Sequence, residues 1–338
     1  MTNEANMILA DGRWQGPHGI GRFSTEVLAR LTQTDILTTG PHPLSIKNLF
    51  WQSQQLLNDK THRVFFTPGF NPSLASRIPV IFTIHDLIHL HVPGQSKLLK
   101  KIFYQYVMKP AAKKAHAIVT VSHFSKKTIL EWLDIPEEKI IVSYPGVSAT
   151  FKPEGTAFQA GFSYLLHVGN TKAHKNVARL IEAFAKAKID RNIKLICTGI
   201  LSDDVQAAVA KHHLEERVIS KTNLNEETLA SLYRGALGVV FPSLYEGFGL
   251  PVVEGMASGV PVLTSNLTSI PEIANNCAIL VDPYNLDALT NGIEELINNT
   301  HLRHDLATRG LIQAKQFTWD KTAASIQQLL NQTAEHFS

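Results

Sequence analysis

Two glutamates, Glu246 and Glu254, flank a glycine-rich stretch that reads Glu246-Gly-Phe-Gly-Leu-Pro-Val-Val-Glu254. An apolar run, Val239–Phe241, precedes it, and a helical pattern at Val252–Ala257 follows, with Pro251 where a first helical turn accepts proline. Gly247 and Gly249 allow a ligand to approach the backbone closely, and the free amides of a helix N-terminus suit a phosphate. Carboxylates beside a diphosphate would be repelled by it, so the two glutamates are better used on hydroxyls, one on a sugar and one on a ribose. Read alone, the same residues form a glycine-rich turn and an acidic helix N-terminus, which the helix dipole favours anyway.

Three other stretches carry residues able to do chemistry. Gly169-Asn170-Thr-Lys172-Ala-His-Lys175-Asn176 follows an apolar strand pattern and offers cations to an anionic ligand, although lysines in a polar loop are ordinarily just solvated. Ile84-His85-Asp86-Leu87 ends another apolar strand, where a polar pair cannot fill a core without partners. Near the N-terminus, Gly16, Gly19 and Gly21 precede Arg22 in the order G-x-x-G-x-G, which is not the dinucleotide fingerprint and by itself reads as a helix start. The histidines are scattered: His89/His91 and His212/His213 lack metal-ligand spacing, so no metal site is expected.

The order of these motifs resembles the family-four (group 1) retaining glycosyltransferases with the GT-B fold. Their signature is an acidic pair separated by seven residues around Gly-Phe-Gly-Leu-Pro, which Glu246–Glu254 matches throughout, and the likeness extends along most of the chain. The resemblance implies a nucleotide-diphospho-sugar donor, a glycan or lipid-linked acceptor, and no cofactor or divalent ion. It implies that Glu246 acts on the transferred sugar, with Gly247, Phe248, Gly249 and Leu250 around the donor and Glu254 on its ribose. Lys175 would face the diphosphate, His85 would contact the donor sugar, and Asp86 would orient His85 or an acceptor hydroxyl. Gly19, Gly21 and Arg22 would form the loop under the sugar and diphosphate. Family members usually carry an Arg directly after the glycine that Gly169 matches. Asn170 stands there instead, and Lys172 is the nearest substitute. Tyr144–Val147, Thr222–Leu229 and the last helix from Phe317 are weaker matches. Relatives with a Gly-Asn-x-x-x-His-Lys-Asn loop are often mannosyl- or deoxyhexosyl-transferases of polysaccharide assembly, which leans toward GDP-mannose.

These residues need elements to position them. Strand patterns occur at Met7–Ala10, Val64–Phe66, Val80–Ile84, Ala117–Val121 and Lys139–Ser143, and again at Tyr164–Val168, Lys194–Thr198, Val239–Phe241, Val260–Thr264 and Ala278–Val281. Helical patterns alternate with them: Gly21–Leu31, Ser96–Lys114 and Ser122–Leu133, then Val177–Ala187, Asp203–His213, Glu226–Arg234, Val252–Ala257 and Asn285–Asn298. Alternation of this kind predicts parallel sheets covered by helices. Because it occurs twice, the expected fold class is α/β, with two doubly wound Rossmann-like domains facing a central cleft: an acceptor-side domain over 1–155 and a nucleotide-sugar domain over 156–316. The resemblance adds a C-terminal helix over 317–338 that crosses back to the first domain. Ligands would sit at the carboxyl ends of the strands.

A chain of 338 residues suits two domains of ~150 each. Apolar residues make up 44%, enough for packed cores, and no apolar run is long enough to span a bilayer. Met1–Asn6 carries no secretion-signal pattern, and Cys197 and Cys277 are too few for a disulfide framework, so a reducing cytoplasm is expected. The net charge of +3 hides a split. Residues 1–160 hold 17 Lys and Arg against 11 Asp and Glu, a bias too small to imply nucleic acid. It is concentrated between Leu87 and Leu130, with eight lysines and no acid. The helical pattern Ser96–Lys114, basic and amphipathic, is expected either to touch an anionic membrane at the inner face of the cell or to pack as an ordinary helix, with Pro110 splitting it. Other readings stay open: a nicotinamide oxidoreductase (disfavoured for want of the fingerprint), a non-catalytic nucleotide- or glycan-binding protein, or a sugar-nucleotide epimerase.

Overall fold

The computed structural model describes residues 7–16, 19–71, 73–92 and 98–337. Met1–Asn6, on which the secretion expectation rests, and Ser96 and Lys97, at the start of the expected basic helix, lie outside them. The chain divides into two units, one of residues 1–146 with 318–338 and the other of residues 147–317.

The first unit holds a six-stranded sheet in the order β2-β1-β3-β4-β5-β6. Its strands are β1 (Ile8–Asp11), β2 (Thr34–Leu37), β3 (Val64–Thr67), β4 (Val80–Thr83), β5 (Ala117–Thr120) and β6 (Ile140–Val142). The second unit repeats the plan in the order β12-β11-β10-β7-β8-β9. Its strands are β7 (Tyr164–His167), β8 (Lys194–Thr198), β9 (Val218–Lys221), β10 (Gly238–Phe241), β11 (Val262–Ser265) and β12 (Ile279–Val281). Every pairing is parallel, so each connection within a sheet crosses over, through a helix except between β3 and β4, where the described residues of 68–79 form an irregular loop. β3, β5, β7 and β10 are buried at every position, as sheets covered on both faces require. In each sheet the strand order reverses once, between β1 and β3 in the first unit and between β7 and β10 in the second. A ligand crevice opens at such a point.

Residues 147–155 pack on the second unit. The Phe151 ring meets Tyr233 edge-on at 5.5 Å, and the Arg234 guanidinium donates to the carbonyl oxygens of Thr150 (3.4 Å) and Thr156 (3.0 Å). The C-terminal helix Trp319–His336 packs within the first unit, where Thr322 Oγ1 donates to the Tyr144 carbonyl at 2.6 Å and Trp319 lies against Phe23.

The expected basic helix is present as one helical stretch from Leu98 to Lys114. Pro110 does not split it. A π-turn over Tyr104–Met108 widens the helix just before the proline, which then sits in the first turn of the last segment, where a missing N–H costs little.

At the end of β1 a buried polar network fixes the chain. Arg13 forms a bidentate pair with Asp11 at 2.8 Å through both Nε and Nη2, and also donates to Asn48 (2.7 Å) and Gln52 (3.0 Å). Asn71 donates to Asp11 and Gln52 and accepts from Trp14 and Thr67. Asp11, Asn48, Gln52 and Thr67 are wholly buried, a burial sustained only because every member is bonded.

Candidate functional site

The second unit brings Lys175 and Glu246 together at its strand-order reversal. Lys175 closes a short 3-10 turn, Ala173–Lys175, in the loop after β7, and Glu246 lies in the loop after β10. The Lys175 ammonium donates to Glu246 Oε1 at 2.6 Å, and the two side chains are only 13% and 14% exposed. The same ammonium lies 4.9 Å from the centre of the Phe241 ring. The pair is braced from both ends. Asn176, in the left-handed conformation, donates to the Pro242 and Pro283 carbonyl oxygens, and Ser243 Oγ donates to the His174 carbonyl at 3.0 Å. On the other side, Ser269 Oγ donates to the carbonyl oxygens of Glu246 (3.0 Å) and Phe248 (2.9 Å).

Beyond Glu246 the chain turns sharply into the helix Leu250–Ala257. Gly247 is buried, and Phe248 is buried edge-on against Phe317 at 5.5 Å. Gly249 has φ +115°, a backbone conformation that demands glycine, and a Cβ there would also press on the movable end of Ile270 at 2.6 Å. Leu250 opens the helix with Pro251 behind it. Glu254 corrects the sequence reading of an acidic first turn. The helix begins at Leu250 rather than Val252, so Glu254 falls one turn inside it, too deep to serve its N-terminus. It is buried (3% exposed) and accepts from the Tyr233 hydroxyl at 2.8 Å.

Asn170 and Lys172 are not gathered into the pair. Both are exposed, and Asn170 Oδ1 accepts from the Lys172 amide at 3.2 Å, which merely closes the turn. A residue the motifs did not signal, His167, lies beneath the pair instead. Its ring is fully buried on β7, stacked at 20° on Phe241, with Nδ1 against the Val240 carbonyl at 3.0 Å. A carbonyl only accepts, so Nδ1 carries the proton, and Nε2 is a buried acceptor with no hydrogen-bond partner among the described residues. Burial pushes the imidazole down to about 4, and the Lys175 charge adds to this, so His167 is neutral at ordinary pH. Its only signal was a polar residue inside an otherwise apolar strand.

In the first unit Gly19 opens the helix Gly19–Leu28. Gly21 is buried against the backbone of Gly16, too close for any Cβ. Arg22, next along, is half-buried. His85 and Asp86 follow β4 and are half-buried as well. His85 Nε2 donates to the Pro68 carbonyl at 2.9 Å, and its ring meets Phe23 edge-on at 4.9 Å. Asp86 Oδ1 accepts from the Ile88 amide at 2.9 Å. The strand-end pair is thus tied to the neighbouring loop and to the glycine-loop helix, with its geometry fixed in advance.

Comparison with known proteins adds identity to this geometry. Residues 149–313 match the family model described as "Glycosyl transferases group 1", and residues 29–151 match "Glycosyltransferase Family 4". An O-antigen chain mannosyltransferase B of Escherichia coli is 29% identical over 279 residues, covering 78% of this chain and 73% of that relative. A glycosyltransferase of Methanocaldococcus jannaschii, uncharacterized, is 30% identical over 263 residues, covering 76% of this chain and 70% of the other. Among solved structures, WaaG, a glycosyltransferase involved in lipopolysaccharide biosynthesis, superposes with TM-score 0.75 at 16% identity over 96% of this chain and 99% of that one. Anabaena HepE, solved in complex with UDP and glucose, gives 0.76 at 16% identity over the same shares. These likenesses show a shared GT-B fold.

Proposed function

As a member of the group 1 glycosyl transferases, this chain is a glycosyltransferase, and we propose that it is a retaining one, moving mannose from GDP-mannose to an acceptor hydroxyl in polysaccharide or glycolipid assembly. The observation that carries the reading is the Lys175–Glu246 pair, fixed at 2.6 Å at the strand-order reversal of the second unit. The difficult step in such a transfer is breaking the anomeric C–O bond, which puts positive charge on the sugar ring and negative charge on the departing diphosphate. In this reading Lys175 and the amides opening the helix Leu250–Ala257 take that negative charge, and a cation fixed beforehand stabilises the transition state without reorganisation. Glu246 serves the sugar, and Glu254, steadied by Tyr233, serves the ribose hydroxyls. In this scheme protein cations hold the diphosphate, and no divalent ion is required. The incoming hydroxyl attacks from the face the diphosphate leaves and gives its proton to an oxygen of the departing diphosphate, yielding the α product and GDP. His85 contacts the transferred sugar, and Asp86 beside it orients His85 or the acceptor hydroxyl.

The mannosyltransferase names among the relatives favour GDP-mannose, and the UDP in the HepE structure names the competing base. Thermal unfolding separates the two. GDP at ~100 times its dissociation constant should stabilise the protein by ~2.7 kcal/mol, and UDP at the same concentration by much less. The GDP shift should shrink in Glu254→Ala, whose donor KM should rise more than its kcat falls, as loss of ground-state binding does. A shift with UDP alone would overturn the GDP assignment, and a Glu254→Ala enzyme with wild-type KM would remove Glu254 from the ribose.

No helix among the described residues is long and apolar enough to cross a membrane. The stretch Leu98–Lys114 exposes Lys100, Lys101, Lys113 and Lys114, and we place it against anionic lipid at the inner face of the cell membrane, each lysine near such a surface contributing ~1 kcal/mol.

A further inference from the structure

The first unit contains a groove of about 400 Å³ between the start of the helix Ile46–Asn58 and the stretch Leu98–Lys114. Leu44, Ile46, Leu49, Phe70, Phe103 and Tyr104 form most of its wall. Its volume is in the range of small-molecule pockets, ~300–1,000 Å³. Asn71 also lines it, but both amide protons go to Asp11 and Gln52 and its oxygen accepts from Trp14 and Thr67, leaving little for a ligand. Tyr104 is buried, and burial together with the nearby Asp86 carboxylate holds its phenol far above the ordinary range, so it remains a neutral hydroxyl. The groove is therefore apolar in effect, with Lys100 and His89 as its charged or chargeable members.

Its surroundings define the occupant further. Large apolar side chains stand exposed on both bordering segments: Leu44 (60%), Ile46 (73%) and Phe50 (68%) on one, Ile102 (45%) and Tyr106 (74%) on the other. Exposed apolar side chains gathered in this way mark an interaction site. No Asp or Glu occurs in residues 36–58 or 87–130, while Lys47, Lys100 and Lys101 are exposed beside the groove. An occupant that complements this face is apolar and negatively charged. His89, three residues beyond Asp86, lines the groove and meets the Tyr104 ring edge-on at 6.3 Å, which brings the groove close to the His85–Asp86 pair, where Asp86 would orient the acceptor hydroxyl.

We propose that the groove holds the hydrocarbon tail of a phosphate-bearing, lipid-linked acceptor, with Lys100 at its phosphate and the sugar end toward His85–Asp86. This rests on reading the first unit as the acceptor side, and it deepens that reading from contact with a surface to a site for a single amphiphile.

The probe is dodecyl phosphate, titrated calorimetrically into the full chain below its micellar concentration, with inorganic phosphate and dodecyltrimethylammonium as controls. Saturable one-to-one binding is expected, at least roughly tenfold tighter than either control, since like charge across an interface is disfavoured. Ile46→Glu puts a carboxylate on the groove wall at the first position of a helix, where an acidic residue is compatible with folding. It should weaken dodecyl phosphate by roughly tenfold or more and leave nucleoside diphosphate binding unchanged. Lys100→Ala should lower the preference for phosphate over the ammonium head. Equal binding of the two surfactants, no binding of either, or an Ile46→Glu protein indistinguishable from wild type would overturn the proposal. Binding to anionic vesicles that is indifferent to Ile46→Glu, without dodecyl phosphate binding, would reduce the groove to a bystander beside a flat adsorbing surface. A wild-type chain that binds dodecyl phosphate but neither GDP nor UDP would strike the donor reading and leave the groove standing.

Discussion

Replacing Lys175 with alanine is expected to lower turnover by ~10²–10³, the scale for losing one preorganised charge partner in an active site. The Lys175 ammonium is largely buried and is fixed by Glu246 at 2.6 Å and by the Phe241 ring at 4.9 Å. It therefore loses little freedom when a diphosphate arrives, and its charge is poorly screened there. The diphosphate is already charged in the ground state, so donor affinity should fall together with turnover. The substitution also leaves Glu246 without its cation, adding a repulsive charge near the diphosphate. Steady-state kinetics at saturating donor, with circular dichroism to confirm folding, measure this. Turnover near wild type would remove Lys175 from the mechanism.

Glu246→Gln should behave differently. Turnover should fall by ~10² if the carboxylate acts where charge develops on the sugar. Nucleoside diphosphate, however, should bind more tightly, by ~1 kcal/mol or roughly fivefold. The sign follows from geometry. In the free protein Glu246 occupies the hydrogen-bonding position on Lys175 that a diphosphate oxygen would want, and it is itself an anion beside an anion site. Glutamine keeps the shape and removes the competing charge. Calorimetric titration of GDP or UDP into both proteins checks this. Weaker binding in the variant would mean that Glu246 helps to hold the nucleotide, and the division of roles proposed here would fail.

The residues that locate the site were legible before the structure because each is a backbone requirement as much as a chemical one. Gly249 must take φ +115°, Gly21 must admit the Gly16 backbone, and Pro251 must stand in the first turn of a helix. Such demands leave fixed letters at fixed spacing. The central strands were legible because a sheet covered on both faces needs continuous apolar runs. β2 and β9 were missed, since both are edge strands whose side chains are partly exposed and mix charge with apolar residues. The helix Ile46–Asn58 was missed for a different reason: Asn48 and Gln52, bonded into the polar network, and Ser53, bonded to the Leu49 carbonyl, are on its buried side, so the apolar period is broken where the helix is most deeply packed. The groove was hidden with it. His167 could not be singled out because nothing in an apolar strand marks which polar residue will lie beneath a charged pair.

Donor cleavage followed by magnetic resonance tests the central claim most directly. With GDP-mannose as donor and water as a slow acceptor, phosphorus spectra report GDP release, and early proton spectra report the anomer formed first. A retaining transferase built on Lys175 and Glu246 should release GDP together with α-mannose, and Lys175→Ala should all but abolish both signals. A β-anomer appearing first, or GDP release undiminished in Lys175→Ala, would contradict it.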